Sequence, residues 1–81
     1  MEDGSVLGRI DALVDEEHAL LHRGEQEHGL DATGHARLAE VKVELDRCWD
    51  LLRQRRARRA AGGDPDDAQA RSADTVEGYM G

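Results

Sequence analysis

Two stretches of the chain carry apolar residues at intervals of three and four, the repeat that lines up side chains along one face of an α-helix. In the first, residues 5–23, these are Val6, Leu7, Ile10, Leu13, Val14, Leu20 and Leu21. In the second, residues 32–61, Leu38, Val41, Leu45, Cys48 and Leu52 alternate strictly by three and four, with Trp49 beside them. The pattern predicts an all-α fold: an antiparallel, coiled-coil-like hairpin whose packing seam sets Leu7, Ile10, Val14 and Leu21 against Leu38, Val41, Leu45, Cys48 and Leu52. Glu17 interrupts the first stripe midway between Val14 and Leu21. It either turns sideways to solvent or to an arginine of the facing helix, or it is a buried polar residue that fixes register.

The punctuation agrees. Asp3 or Ser5 can cap the first helix, Gly29 can stop it, and Asp31 or Thr33 can open the second. Residues 24–31 are then the turn. Gly62 and Gly63 end helix 2, and Asp64-Pro65-Asp66-Asp67 starts a short helical turn within a tail of residues 62–81, where Val76, Tyr79 and Met80 form a small apolar group. The tail is expected to dock partly on helix 2. At the α-helical rise, the predicted helices measure about 27 Å and about 45 Å. The far end of helix 2, carrying Arg53, Arg55, Arg56, Arg58 and Arg59, is therefore expected to project beyond its partner.

An 81-residue chain makes one domain, 1–81, and buries only a modest core. With no Phe, one Trp and one Tyr, that core must come from aliphatic residues. Both helices show stripes wider than a single seam. A lone hairpin is then marginal, and a second copy making a four-helix arrangement, or another protein surface, is the expected remedy. The single cysteine excludes an internal disulfide framework. No stretch is apolar enough to span a membrane, no signal peptide is visible, and the expected location is the cytoplasm.

The net charge of −7 is unevenly placed: −6 over residues 1–30, +3 over 31–61 and −4 over 62–81. The arginine run is the most informative feature. Cations at a helix C-terminus complement its dipole and can pair with the acidic tail. Five are more than the dipole requires, so the run, with Trp49, is the candidate partner or anion contact. Without aromatic residues around it, sequence-specific reading of single strands is not expected. His18 and His22, four residues apart, share a helix face and form a weak candidate metal pair, to which Asp15, Cys48 or a loop histidine would add a third or fourth ligand, but the spacings of known zinc motifs are absent. Cys48 reads as a small buried hydrophobe. No nucleophile–base pattern or phosphate-binding loop is present, so no catalytic residue, metal or cofactor is assigned. The expected function is a non-enzymatic interaction module. The alternatives are a nucleic-acid-associated protein using the arginines and a metal-binding protein using His18 and His22.

Three strings, ALVDEEHALL, LDRCWDLLRQRRARR and DPDDA…VEGYM, together resemble a family of short actinobacterial proteins, domain of unknown function 2630. The resemblance spans nearly the whole chain; the Gly-rich turn GEQEHGLDATGH departs from it. It implies a compact helical protein in the cytoplasm, assigns no activity, and points to helix 2 as the segment to test.

Overall fold

A computed structural model describes residues 2–80, with side-chain surroundings up to Glu77, so the expected grouping of Tyr79 and Met80 with Val76 lies outside the described residues. The chain forms α1 (Asp3–Gln26), α2 (Ala32–Ala60), a 3-10 turn (Pro65–Asp67) and α3 (Ala73–Met80). No strand occurs among the described residues. The architecture is the all-α helical hairpin, with α1 and α2 packed on one another and the tail folded against α2.

Local chemistry sets the boundaries. Helix α1 runs past residue 23 to Gln26, and the chain reverses through His28 (φ 58°) and Gly29 (φ 127°). The Gly29 N–H donates to the Gly24 carbonyl at 2.6 Å, tying off an otherwise orphan acceptor in the last turn. Asp31 caps α2 by accepting from the Gly34 N–H at 2.7 Å. Gly34 allows a close approach: a Cβ there would lie 3.1 Å from Leu30 Cδ2 and 3.2 Å from the capping Asp31 Oδ1. At the far end, Gly62 adopts φ 81° and the Gly63 N–H donates to Arg58 O at 2.7 Å, ending α2 at Ala60.

The helix lengths differ from expectation in a way that matters. Helix α1 has 24 residues and α2 has 29. The mismatch therefore falls from about 18 Å to about 8 Å. The start of α1 advances to Asp3 because its carboxylate is held by Arg55 and Arg59 from the end of α2. The arginine segment is thereby partly paired rather than wholly projecting.

The core is two aliphatic clusters in series. One joins Val6 and Ile10 to Leu51 and Leu52; the other joins Leu13 and Leu20 to Val41, with Leu38, Leu45 and Cys48 packed against it. The buried row of α1 is thus Val6, Ile10, Leu13 and Leu20, and of the expected α1 seam only Ile10 lies in it: Leu7 and Leu21 remain 41% and 45% exposed, and Val14 is half-buried beside the row. Steps of four and three from Val6 reach Ile10, Leu13, Glu17 and Leu20, so Glu17 does fall on the seam. It is half-buried there, and the arginine that reaches across from α2, Arg37, binds Glu16 instead.

The tail docks on the outer side of α2. Gln54 donates to Gln69 O at 2.8 Å, Arg47 donates to Arg71 O at 2.9 Å, and Val76 is 2% exposed. The result is a slab, with Cα extents of 50 × 25 × 14 Å and a radius of gyration of 15.1 Å, against about 12 Å for a compact chain of this length.

Candidate interaction face and arginine cluster

The seam divides the hairpin into two flanks of different chemistry. On one flank, Arg37 of α2 makes a two-pronged ion pair with Glu16 of α1, its Nη2 donating to Oε1 at 2.7 Å and its Nε to Oε2. Ser5 and Arg9 lie on this same side, lining a small crevice with Cys48 and Leu51. The Glu16 carboxyl is held below the usual carboxylate range by hydrogen bonds from Arg37.

The opposite flank is apolar. Leu7, Val14 and Leu21 recur every seven residues, so they form one stripe along α1 with only a slow drift around the helix. They lie on the side of the Val6–Leu13–Leu20 row away from Arg9 and Glu16. On α2, Leu38, Leu45 and Trp49 likewise fall on the side of the Val41–Leu52 row away from Arg37 and Leu51. Leu7, Leu21 and Trp49 are 41%, 45% and 46% exposed, while Val14, Leu38 and Leu45 are half-buried between them. All the large exposed apolar side chains among the described residues therefore share one flank. Small domains ordinarily bury such a face beneath a second layer. Here the tail's hydrogen bonds lie at Arg47, Gln54 and Arg55, away from this flank.

The arginine run splits three ways. Arg55 is 4% exposed; its Nε donates to Asp3 Oδ1 at 2.7 Å, and its Nη1 to Asp66 Oδ1 at 2.8 Å and Pro65 O at 3.3 Å. It thereby ties the start of α1, the end of α2 and the 3-10 turn together. Arg59 joins the same Asp3 carboxylate. These guanidinium hydrogen bonds hold the Asp3 carboxyl below its ordinary range, and Arg55 does the same to Asp66. Arg53, Arg56 and Arg58 are exposed and make no ion pair with a described residue. Arg53 and Arg58 line an open cleft of about 380 Å³ with Asp50, Gln54 and Arg71.

Two features of this region escape the sequence reading. Asp50 is 4% exposed, accepts from Gln54 Nε2 at 2.9 Å and lies 3.5 Å from Arg71 Nε. It faces away from α1, so nothing in the hairpin repeat marks it; only the docked tail buries it. The Asp3–Arg55–Arg59 junction, by contrast, did leave a signal. Continuing the α2 repeat past Leu52 by three and four lands on Arg55 and Arg59, and one step back from Val6 lands on Asp3. The seam simply ends in a charged layer.

His18 and His22 are exposed, and among the described residues no three His, Cys, Asp or Glu side chains converge as a metal site. Cys48 is half-buried in the seam, and burial, reinforced by Glu44, raises its thiol pKa. That setting opposes thiolate chemistry. No helix among the described residues is long and apolar enough to cross a membrane.

The family of proteins of unknown function DUF2630 matches residues 2–81. The chain is 49% identical to the uncharacterised proteins Rv0898c of Mycobacterium tuberculosis (strain H37Rv) and Mb0922c of Mycobacterium bovis, over 98% of its own length and 91% of theirs. No solved structure matches it. With the family pattern covering essentially the whole hairpin and tail, the chain belongs to DUF2630.

Proposed function

We propose that this protein is a non-enzymatic interaction module that docks through the flank formed by Leu7, Val14 and Leu21 of α1 and Leu38, Leu45 and Trp49 of α2. The observation that carries this reading is the gathering of the exposed Leu7, Leu21 and Trp49 on one side of a slab-shaped chain. The tryptophan is the natural anchor, since large aromatic side chains dominate the binding energy of interfaces. The test is a photo-crosslinking side chain placed at position 21 or, separately, at position 12 on the opposite side of α1, in the native cell. Protein adducts from 21 and none from 12 support the reading, whether the captured protein is another copy or a different chain. Equal adducts from both positions, or none from 21, refute it.

One observation favours a second reading, an anionic contact at the end of α2. Arg53 and Arg58 open together into the cleft beside Arg71. Arg55, locked between Asp3 and Asp66, takes no part in this reading. Fluorescence anisotropy with labelled RNA and DNA over a salt series tests it. Binding that weakens with salt and is lost with Arg53→Ala and Arg58→Ala supports it; no binding at low salt refutes it.

A further inference from the structure

We infer that the occupant of the apolar flank is a second copy of this chain, in a two-fold pair that lays α1 of each copy across α2 of the other. This rests on the flank being a docking surface, and adds its partner and its geometry. The flank is large enough for a second copy. A face about 36 Å long and two helices, or about 20 Å, wide offers roughly 700 Å², close to the roughly 800 Å² per partner of a standard stable interface.

Charge selects the arrangement. Charged residues border the two apolar stripes unequally. Along α1 stand Asp11, Asp15, Glu17 and Glu25, with His18 and His22 beside them and no lysine or arginine. Along α2 stand Lys42, Arg53 and Arg56, with Asp46 the one acid. Asp11, Asp15, Glu25, Lys42, Arg53 and Arg56 are exposed and make no ion pair with a described residue. Their charges are unspent among the described residues.

A two-fold axis across the helices would set α1 on α1 and α2 on α2, opposing acid to acid and base to base. An axis along the helices sets each acidic stripe against the other copy's basic stripe, twice over, and keeps neighbouring helices antiparallel as in ordinary four-helix bundles. In that arrangement the half-buried Glu17 acquires a counter-ion. Val41 packs between Leu13 and Leu20, so Lys42 of a second copy arrives level with Asp15 and Glu17. Like-charge juxtaposition suppresses the wrong pairing, which is the usual work of rim charges.

The test is a charge swap on exposed positions. Variant A carries Asp11→Lys and Asp15→Lys; variant B carries Lys42→Glu and Arg53→Glu. Sedimentation velocity at low salt should show the wild type as a concentration-dependent dimer. A and B alone should each associate about tenfold more weakly, and an equimolar mixture should recover dimer of mixed composition. Circular dichroism of each variant checks that the helices persist; should A or B lose helicity, the single substitutions Asp15→Lys and Lys42→Glu serve the same comparison. A wild type that stays monomeric at hundreds of micromolar overturns the inference, and if position 21 still captures other proteins, the docking reading survives alone. Variant A binding wild type more tightly than wild type binds itself overturns the arrangement, because that outcome requires α1 on α1.

Discussion

Shortening Leu13 to alanine probes the buried row of α1. Leu13 is 1% exposed and packs with Leu20 and Val41 in the second core cluster. Deleting a fully buried leucine side chain costs about 2–5 kcal/mol, the spread reflecting how far the walls collapse into the space. A domain of this size is held by roughly 4–12 kcal/mol in total, so one substitution removes a large fraction. With a urea slope of about 1 kcal/mol per molar, the unfolding midpoint followed by helical circular dichroism should fall by about 2 M or more. Leu7→Ala is the matched control. Its side chain is 41% exposed, and alanine is the better helix former, so its cost should stay below about 1 kcal/mol. Both are measured at low micromolar protein, where association contributes least. Equal shifts for the two variants, or a larger shift for Leu7→Ala, would refute the placement of the core row on Val6, Ile10, Leu13 and Leu20.

Acid should loosen the molecule in a defined direction. Asp3, Glu16 and Asp66 hold their protons less readily folded than unfolded, so the unfolded chain takes up protons first as pH falls. Their stabilisation is complete above the ordinary carboxylate range near pH ~4 and is lost as pH drops through the depressed folded values. Urea midpoints taken between neutral and strongly acidic pH should show that loss, with a shallower acid limb in Arg55→Met; an unchanged slope in the variant would contradict the assignment. Gly34→Ala should destabilise despite alanine's helix propensity, because its Cβ would crowd Leu30 Cδ2 at 3.1 Å and the capping Asp31 Oδ1 at 3.2 Å; a thermal midpoint at or above wild type would count against that close approach. Cys48 should react with iodoacetamide more slowly in the folded protein than in urea at the same mildly alkaline pH, since burial favours its neutral thiol. Equal rates would place the thiol at the surface.

The hairpin is legible because both helices write the same repeat and the turn carries its own stops, Gly29 and the Asp31 cap. Helix phase is harder. Val6 and Leu7, Leu13 and Val14, and Leu20 and Leu21 come in adjacent pairs, each offering two candidates about 100° of rotation apart. A pattern that rewards either member cannot choose between them. The choice is made by the polar flank, where Glu16 meets Arg37, a contact between distant segments that periodicity does not encode. The arginine end is legible as a cluster, and the repeat running on through Arg55, Arg59 and Asp3 hints at a charged layer, but the pairs themselves are not legible. Its pairing depends on Asp3 and Asp66 arriving from both ends of the chain. Asp50 was illegible for the same reason, since it is buried by the returning tail and not by the hairpin.

The proposed docking covers the flank bearing Trp49. Trp49 is the only tryptophan in the chain and is 46% exposed in the single copy. Its emission maximum and its quenching by acrylamide should therefore be read across a dilution series from hundreds of micromolar to nanomolar protein. Self-pairing predicts a blue-shifted, protected indole at high concentration that becomes red-shifted and fully quenchable on dilution, with Leu21→Glu abolishing the transition. An indole equally quenchable at every concentration would contradict it.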